Sequence, residues 1–216
     1  MKKVNIILAS LLFFFICIPL KAQDITLPAP DKKGGKPLMQ ALNERKSARS
    51  YSRENLSQQQ LSDILWAAWG YNRPEQKLRT APSAMNLQEI DVYVALPSGL
   101  YLYEASAHKL IQINNKDIRE LTGSQDFVAT APLNLIYVAD MAKLNRREGD
   151  TINDADLLWS YANTGFIAQN VYLYCASTGL ISVIRGLVPK EKLAPAMGLR
   201  SNQVITLSQS VGYPGK

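Results

Sequence analysis

Residues 153–178 read NDADLLWSYANTGFIAQNVYLYCAST, and they predict the longest helix of the chain, Asn153 to Thr178. Leu158, Ala162, Gly165, Ile167, Ala168, Val171, Tyr172, Cys175 and Ala176 spread apolar or small positions nearly all the way round that helix, which implies burial on several sides. Such a helix belongs at the centre of a domain or in an interface between copies. Around it, strand-like and helix-like segments neither alternate regularly nor repeat, which favours an α+β fold over a doubly wound parallel sheet.

On the N-terminal side, Pro37 is placed to open a helix as its first residue, with Leu38, Ala41 and Leu42 on one face. Arg45-Lys46-Ser47-Ala48-Arg49 closes it. Ser57 with Gln60 three residues on forms a capping box. The helix it opens buries Leu61, Ile64, Leu65 and Ala68 and ends at Gly70. Ile90 to Leu96 alternates and turns at Pro97-Ser98-Gly99 into Leu100 to Tyr103, a β-hairpin. Lys109 to Ile113 adds a strand, Asn115 to Leu121 a short helix, and Leu133 to Ala139 a strand of continuous apolar character. After the long helix come a helix over Lys190 to Met197 and a last strand, Gln203 to Gly212.

Residues 1–22 stand apart. Lys2 and Lys3 precede an apolar run from Ile6 to Ile18, and Leu20-Lys21-Ala22 offers a cleavage point before Gln23, the pattern of a signal peptide. The run is shorter than the roughly 20 residues that span a bilayer. An uncleaved anchor and a lipoprotein processed at Cys17 are the alternatives. The reading is of an exported protein, periplasmic by the Lys-Ala-Gln junction, with no stable membrane insertion after cleavage. Removing Lys2, Lys3 and Lys21 takes the 24 basic residues to 21 against 18 acids, so the net charge of +6 falls to +3. That mild charge does not indicate a nucleic-acid partner. Cys175 is then the single cysteine and His108 the single histidine, which leaves no intrachain disulfide and no ordinary zinc site. Residues 23–36, rich in proline, glycine and charge, read as an extended lead-in to one domain over residues 37–216.

Four segments carry candidate chemistry. The cations of Arg45, Lys46 and Arg49 repel one another unless they are solvated or share an anion such as a phosphate. Arg79-Thr80-Ala81-Pro82-Ser83-Ala84-Met85-Asn86 is a loop of small polar residues. Asn86 there either meets a ring edge carrying C=O and N–H groups or fastens its own backbone. Thr178 to Gly186 ends the long helix at Gly179, and Gly186 permits close backbone approach to a planar ligand. The terminus runs Val211-Gly212-Tyr213-Pro214-Gly215-Lys216. Trp66, Trp69 and Tyr71 are either stacking residues or core.

In this order the four segments resemble the FMN-dependent nitroreductase family. The resemblance implies an α+β nitroreductase-like fold with a mostly antiparallel central sheet flanked by helices and the long helix at a homodimer interface. It implies FMN as cofactor. Arg45 and Lys46 would then neutralise the phosphate, Ser47 would donate a hydrogen bond, and Arg49 would lie near N1 and O2. Ser83 and Asn86 would reach the flavin across the interface, the backbone of Arg185 and Gly186 would lie near N5, and Lys216 would add a phosphate contact. No side chain needs a catalytic role, because the flavin carries the redox chemistry. Gly99 to Tyr103 with His108 and Leu110 resembles the branch of azoline-oxidising dehydrogenases. The chain departs from the family in having only Lys216 after Gly-Tyr-Pro and no Gln-Pro after Asn86. The function implied is hydride or electron transfer through flavin N5 to or from a small planar substrate, nitroaromatic, quinone or azoline-like. The electron donor is open, since NAD(P)H is not expected outside the cytoplasm. A noncatalytic exported binding protein using the same cleft is the alternative.

Overall fold

The structure is a computed structural model that describes residues 23–215. Residues 1–22, where the signal peptide is expected, and Lys216 lie outside the described residues. The strands are β1 (Ile25–Thr26), β2 (Tyr71–Arg73), β3 (Leu78–Arg79), β4 (Ile90–Leu96), β5 (Gly99–Glu104), β6 (Lys109–Asn114), β7 (Leu133–Asp140), β8 (Ile181–Arg185) and β9 (Gln203–Gly212). The helices are α1 (Leu38–Glu44), α2 (Gln58–Trp69), α3 (Asp154–Thr178) and α4 (Lys190–Met197). Seven strands make one sheet in the order β1-β6-β5-β4-β7-β9-β8, antiparallel throughout, and β2 with β3 forms a separate small ribbon.

All eight residues of β7 are buried, because both faces of the sheet are covered. Leu133, Leu135, Tyr137 and Ala139 pack with Ile64, Leu65, Ile167 and Val171 from α2 and α3. The intervening Ile136 and Val138 pack with Leu193 and Met197 of α4 and with Ile118. Successive strand residues face opposite sides, so a continuous apolar run is what a strand between two helical layers requires. Each of these side chains contributes roughly 1.5–3 kcal/mol by leaving water.

The α2 capping box forms as expected, with Gln60 N donating to Ser57 Oγ and Ser57 N donating to Gln60 Oε1. Pro97-Ser98 joins β4 to β5, with Leu96 opposite Gly99. A second capping box, Asn153 with Asp156, starts α3. Its inner face, Asn163, Thr164, Ile167, Ala168, Val171, Tyr172 and Cys175, is buried. The other face is not. Leu158, Trp159 and Phe166 are exposed at 61%, 60% and 48%, with Ala162 and Gly165 between them. Within one chain α3 is therefore buried on one side, not all round.

Three further expectations need correction. Pro37 is the N-cap of α1 rather than its first residue, and only Ala41 of that helix is buried, leaving Leu38 and Leu42 exposed. Asn115 to Leu121 is not an α-helix; a 3-10 turn covers Arg119–Thr122 instead. The lead-in is more than an extended tether. Ile25 pairs with Leu110, Ser62 Oγ donates to Pro28 O at 2.6 Å, and Asp31 N donates to Asp63 Oδ1 at 2.8 Å.

His108 stands behind that strap. The hydrogen of Ser62 Oγ is committed to Pro28, so Ser62 accepts from His108 Nε2 at 2.7 Å, and Tyr103 OH then donates to Nδ1 at 2.9 Å. This arrangement satisfies a neutral ring with its proton on Nε2.

Candidate functional site

The basic cluster does not close α1 in helical geometry. Arg45 is the C-cap, with φ −58° and ψ 123°, and beyond it the chain runs extended beside β8, an edge strand of the sheet. Ser47 bridges to Ser182 in parallel sense, and Ala48 N donates to Ser182 O at 3.1 Å. Tyr172, reaching out from α3, fixes both partners: its hydroxyl accepts from Ile184 N and lies 2.9 Å from Ser47 Oγ. Buried Tyr51 donates to Ala48 O and Ser210 O at 3.0 and 3.3 Å. The C-terminal turn completes the clamp, with Ser52 N donating to Tyr213 O and Gly215 N to Ser50 O. A Cβ on Gly215 would come within 2.6 Å of Ser50 Oγ, and one on Gly212 within 2.5 Å of Pro132 Cδ. Side chains larger than glycine would push this clamp apart.

The cations stand on that rigid backbone. The Arg45 guanidinium lies 5.4 Å from the centroid of the Tyr172 ring. Lys46 and Arg49 are exposed, and among the described residues none of the three makes an ion pair within 4 Å. Lys46 lines a cavity of about 440 Å³ with Tyr172, Ser182 and the Gly179–Leu180 turn. Gly179 caps α3 in the left-handed region at φ 78°, where glycine carries no Cβ penalty. Beside Gly186 an added Cβ would touch only Leu207 Cδ2, at 3.7 Å, so the protein leaves its face open.

The Arg185 side chain turns the other way. It is 5% exposed and donates to Thr122 O at 2.7 Å, Ser208 Oγ at 2.9 Å, Asn134 Oδ1 at 3.0 Å and Ser210 Oγ at 3.1 Å. Gly123 makes room for it, since a Cβ there would sit 1.9 Å from the guanidinium. Burial pushes its pKa down to about 10, which leaves it charged at neutral pH. Residue 185 thus has only its backbone to offer a ligand.

The loop of Pro82 to Asn86 is held by neighbours that the sequence reading passed over. Ala84 N donates to Asn163 Oδ1 at 3.2 Å, and Asn163 Nδ2 donates to buried Glu89 at 2.8 Å. Gln88 N donates to Ser83 Oγ and Gln88 Nε2 to Asn86 Oδ1, both at 3.0 Å. Met85, Asn86 and Gln88 all have φ near +50°, a strained run for residues with a Cβ. With its oxygen engaged, Asn86 keeps its NH₂ free to donate. Trp69 is core, 2% exposed, while Trp66 and Tyr71 are half-buried.

The fold gathers Arg45 to Arg49, Gly179 to Gly186 and Tyr213 to Gly215 at one place. Pro82 to Asn86 is held elsewhere. It bonds α3 at Asn163, whereas Ser47 bonds α3 at Tyr172, nine residues and roughly 13 Å further along the helix axis.

A family model described as the nitroreductase family matches residues 42–213, which includes these segments as far as Tyr213 and stops before Pro214, Gly215 and Lys216. The chain belongs to the nitroreductase family. Members of that family are flavoprotein oxidoreductases. A candidate nitroreductase from Methanocaldococcus jannaschii is 32% identical over 159 residues, covering 69% of this chain and 78% of that protein. The crystal structure of a candidate nitroreductase from Ralstonia eutropha JMP134 superposes with a TM-score of 0.82 at 43% identity, covering 89% of this chain and 90% of the other. A further candidate nitroreductase, from a subspecies of Desulfovibrio desulfuricans and solved in complex with FMN, shares the fold at a TM-score of 0.59 and 20% identity, covering 84% and 88% of the two chains. For a nitroreductase, the clamp around Arg45 to Arg49 means that the cations are displayed by a strand-like segment, not by a helix end.

Proposed function

We propose that the protein is an exported FMN-dependent oxidoreductase that works as a homodimer on a small planar substrate of the nitroaromatic, quinone or azoline-like kind. The observation that carries this reading is the cluster of Arg45, Lys46 and Arg49, three cations with no ion-pair partner among the described residues, on a backbone fastened at Ser47, Ala48, Ser50 and Ser52. Repulsion among them is relieved by a shared phosphate. The open face at Gly186 supports a flat ring beside it. Bound there, FMN would supply hydride and electron transfer at N5. Arg45 and Lys46 would hold the phosphate, with Lys216 adding to them, Ser47 would donate a hydrogen bond, and Arg49 would place a positive charge near N1 and O2. The backbone of Arg185 and Gly186 would face N5.

The exposed apolar face of α3 supports the dimer, since Leu158, Trp159 and Phe166 have no cover among the described residues of one chain. In such a homodimer, Ser83 and Asn86 of the second copy would serve the flavin held by the first copy's cations, as the family resemblance implies. His108 and Tyr103 fasten the lead-in, so the resemblance of that region to azoline-oxidising dehydrogenases does not bear on which planar substrate is used.

Gel filtration of the purified protein with visible absorption of the eluted peak tests the proposal. Flavin bands that co-elute at dimer size and bleach with dithionite are expected, with Arg49→Ala retaining FMN about tenfold less tightly. A colourless protein that does not take up added FMN would overturn it.

A further inference from the structure

Arg79 is a half-buried cation for which the fold provides no anion. Its guanidinium lies 4.5 Å from the centroid of the Trp69 ring and 4.6 Å from that of Tyr71. Nε donates to Gln88 Oε1 at 2.7 Å, one terminal nitrogen to Trp69 O at 2.6 Å, and the other to the Tyr71 hydroxyl at 3.4 Å. All three acceptors are neutral. Among the described residues no carboxylate lies within 4 Å of it. Asp91 and Glu104 act on it only at longer range, and Asp91 is already paired with Lys143 at 2.8 Å. Removal from water lowers the pKa of the guanidinium, as desolvation does to a cation.

A guanidinium carries five N–H donors. Three are engaged, which leaves one hydrogen on each terminal nitrogen to offer a carboxylate. Arg79 lines a cavity of about 310 Å³ together with Arg73, Thr80, Ser83 and Asn86, and no acidic residue lines it. Thr80 Oγ1 is buried without a hydrogen-bond partner. Beside the apolar Leu78, Ala81 and Pro82, the lining thus carries two arginines and the free NH₂ of Asn86, donors with no carboxylate among them.

We propose that this cavity is an anion subsite in which Arg79, with Arg73, takes the carboxylate of the substrate. The substrate class is thereby narrowed to small planar molecules bearing a carboxylate. The role of the subsite in turnover rests on the reading of Ser83 and Asn86 as flavin contacts; its affinity for a carboxylate does not.

Calorimetric titration of the purified protein with benzoate and with benzamide, a neutral molecule of nearly the same shape, separates the two. Benzoate is expected to bind about tenfold more tightly, and Arg79→Gln is expected to abolish the difference. Equal affinities in the unaltered protein would overturn the subsite, and that comparison needs no variant. A preference for benzoate that survives Arg79→Gln in a folded protein would also overturn it, by placing the anion elsewhere. Flavin absorbance of the same samples reports on the proposed function separately. Colourless protein that still prefers benzoate would keep the subsite and remove the flavin reading, while yellow protein that binds both probes equally would do the reverse.

Discussion

Arg185 and Arg79 are both arginines that the fold draws out of water without giving either an acid. Arg185 is enclosed, and its two terminal nitrogens end on oxygens from Thr122, Asn134, Ser208 and Ser210, contributed by the turn after β6 and by β7 and β9, while its buried Nε has no partner among the described residues. Arg79 is partly open, held on one side by two aromatic rings and Gln88 and facing a cavity on the other. A cation walled in by oxygens, with no space for a ligand, is a strut. One whose spare donors lie beside an open cavity is a receptor.

The comparison predicts unequal losses. Replacing Arg185 by methionine, close to it in length, leaves Thr122 O and a cluster of hydroxyls facing an apolar chain, and is expected to destabilise the fold by about 3 kcal/mol in urea unfolding. A loss under about 1 kcal/mol would mean that water enters and replaces the guanidinium, so the strut would not be one. Arg79→Gln should lower stability by only about 1 kcal/mol, since Arg79 is only half-buried and stands beside a cavity. A loss as large as that of Arg185→Met would make Arg79 a second strut and remove the basis for a receptor.

The smallest effect concerns the other titratable node. Burial holds the pKa of His108 below its ordinary value, against the pull of the Pro28 carbonyl and Asp63, while Lys32 adds to the lowering. The unfolded chain, at about 6.5, therefore takes up a proton first as pH falls. Stability from this group is present above that value and is lost below it. Urea midpoints at pH 7.5 and pH 5 should fall further apart for the unaltered protein than for His108→Gln. Equal drops would show that the strap over β6 is indifferent to the ring's charge.

What could be read from the sequence follows the range over which each signal acts. The capping box of Ser57 and Gln60, the Pro97-Ser98 turn, the apolar run of β7 and Gly179 beyond α3 are decided within a few residues, and all four stand as expected. Elements decided by distant partners were not legible. β1 is two residues among prolines, made a strand by Leu110, and the β2–β3 ribbon is too short to show alternation. Arg45 to Arg49 carried its chemistry openly as charge, but its extended backbone depends on Ser182 and on the Tyr172 hydroxyl, which lay hidden in an apolar helical pattern. Arg79 was visible as a letter. That it lacks an acid is a fact of three dimensions.

The strap formed by residues 23–31 has a consequence in time. β1 is among the first of the described residues to be made, yet the strand it pairs with lies about 85 positions later. Whether the chain emerges from a ribosome or through a membrane, its leading segment waits unpaired until β6 has followed it. Until β1 pairs with it, the edge of β6 has its backbone groups open to any passing strand. A segment near the start of the described residues is thus seated only once β6 has followed it, and its docking covers one edge of the sheet.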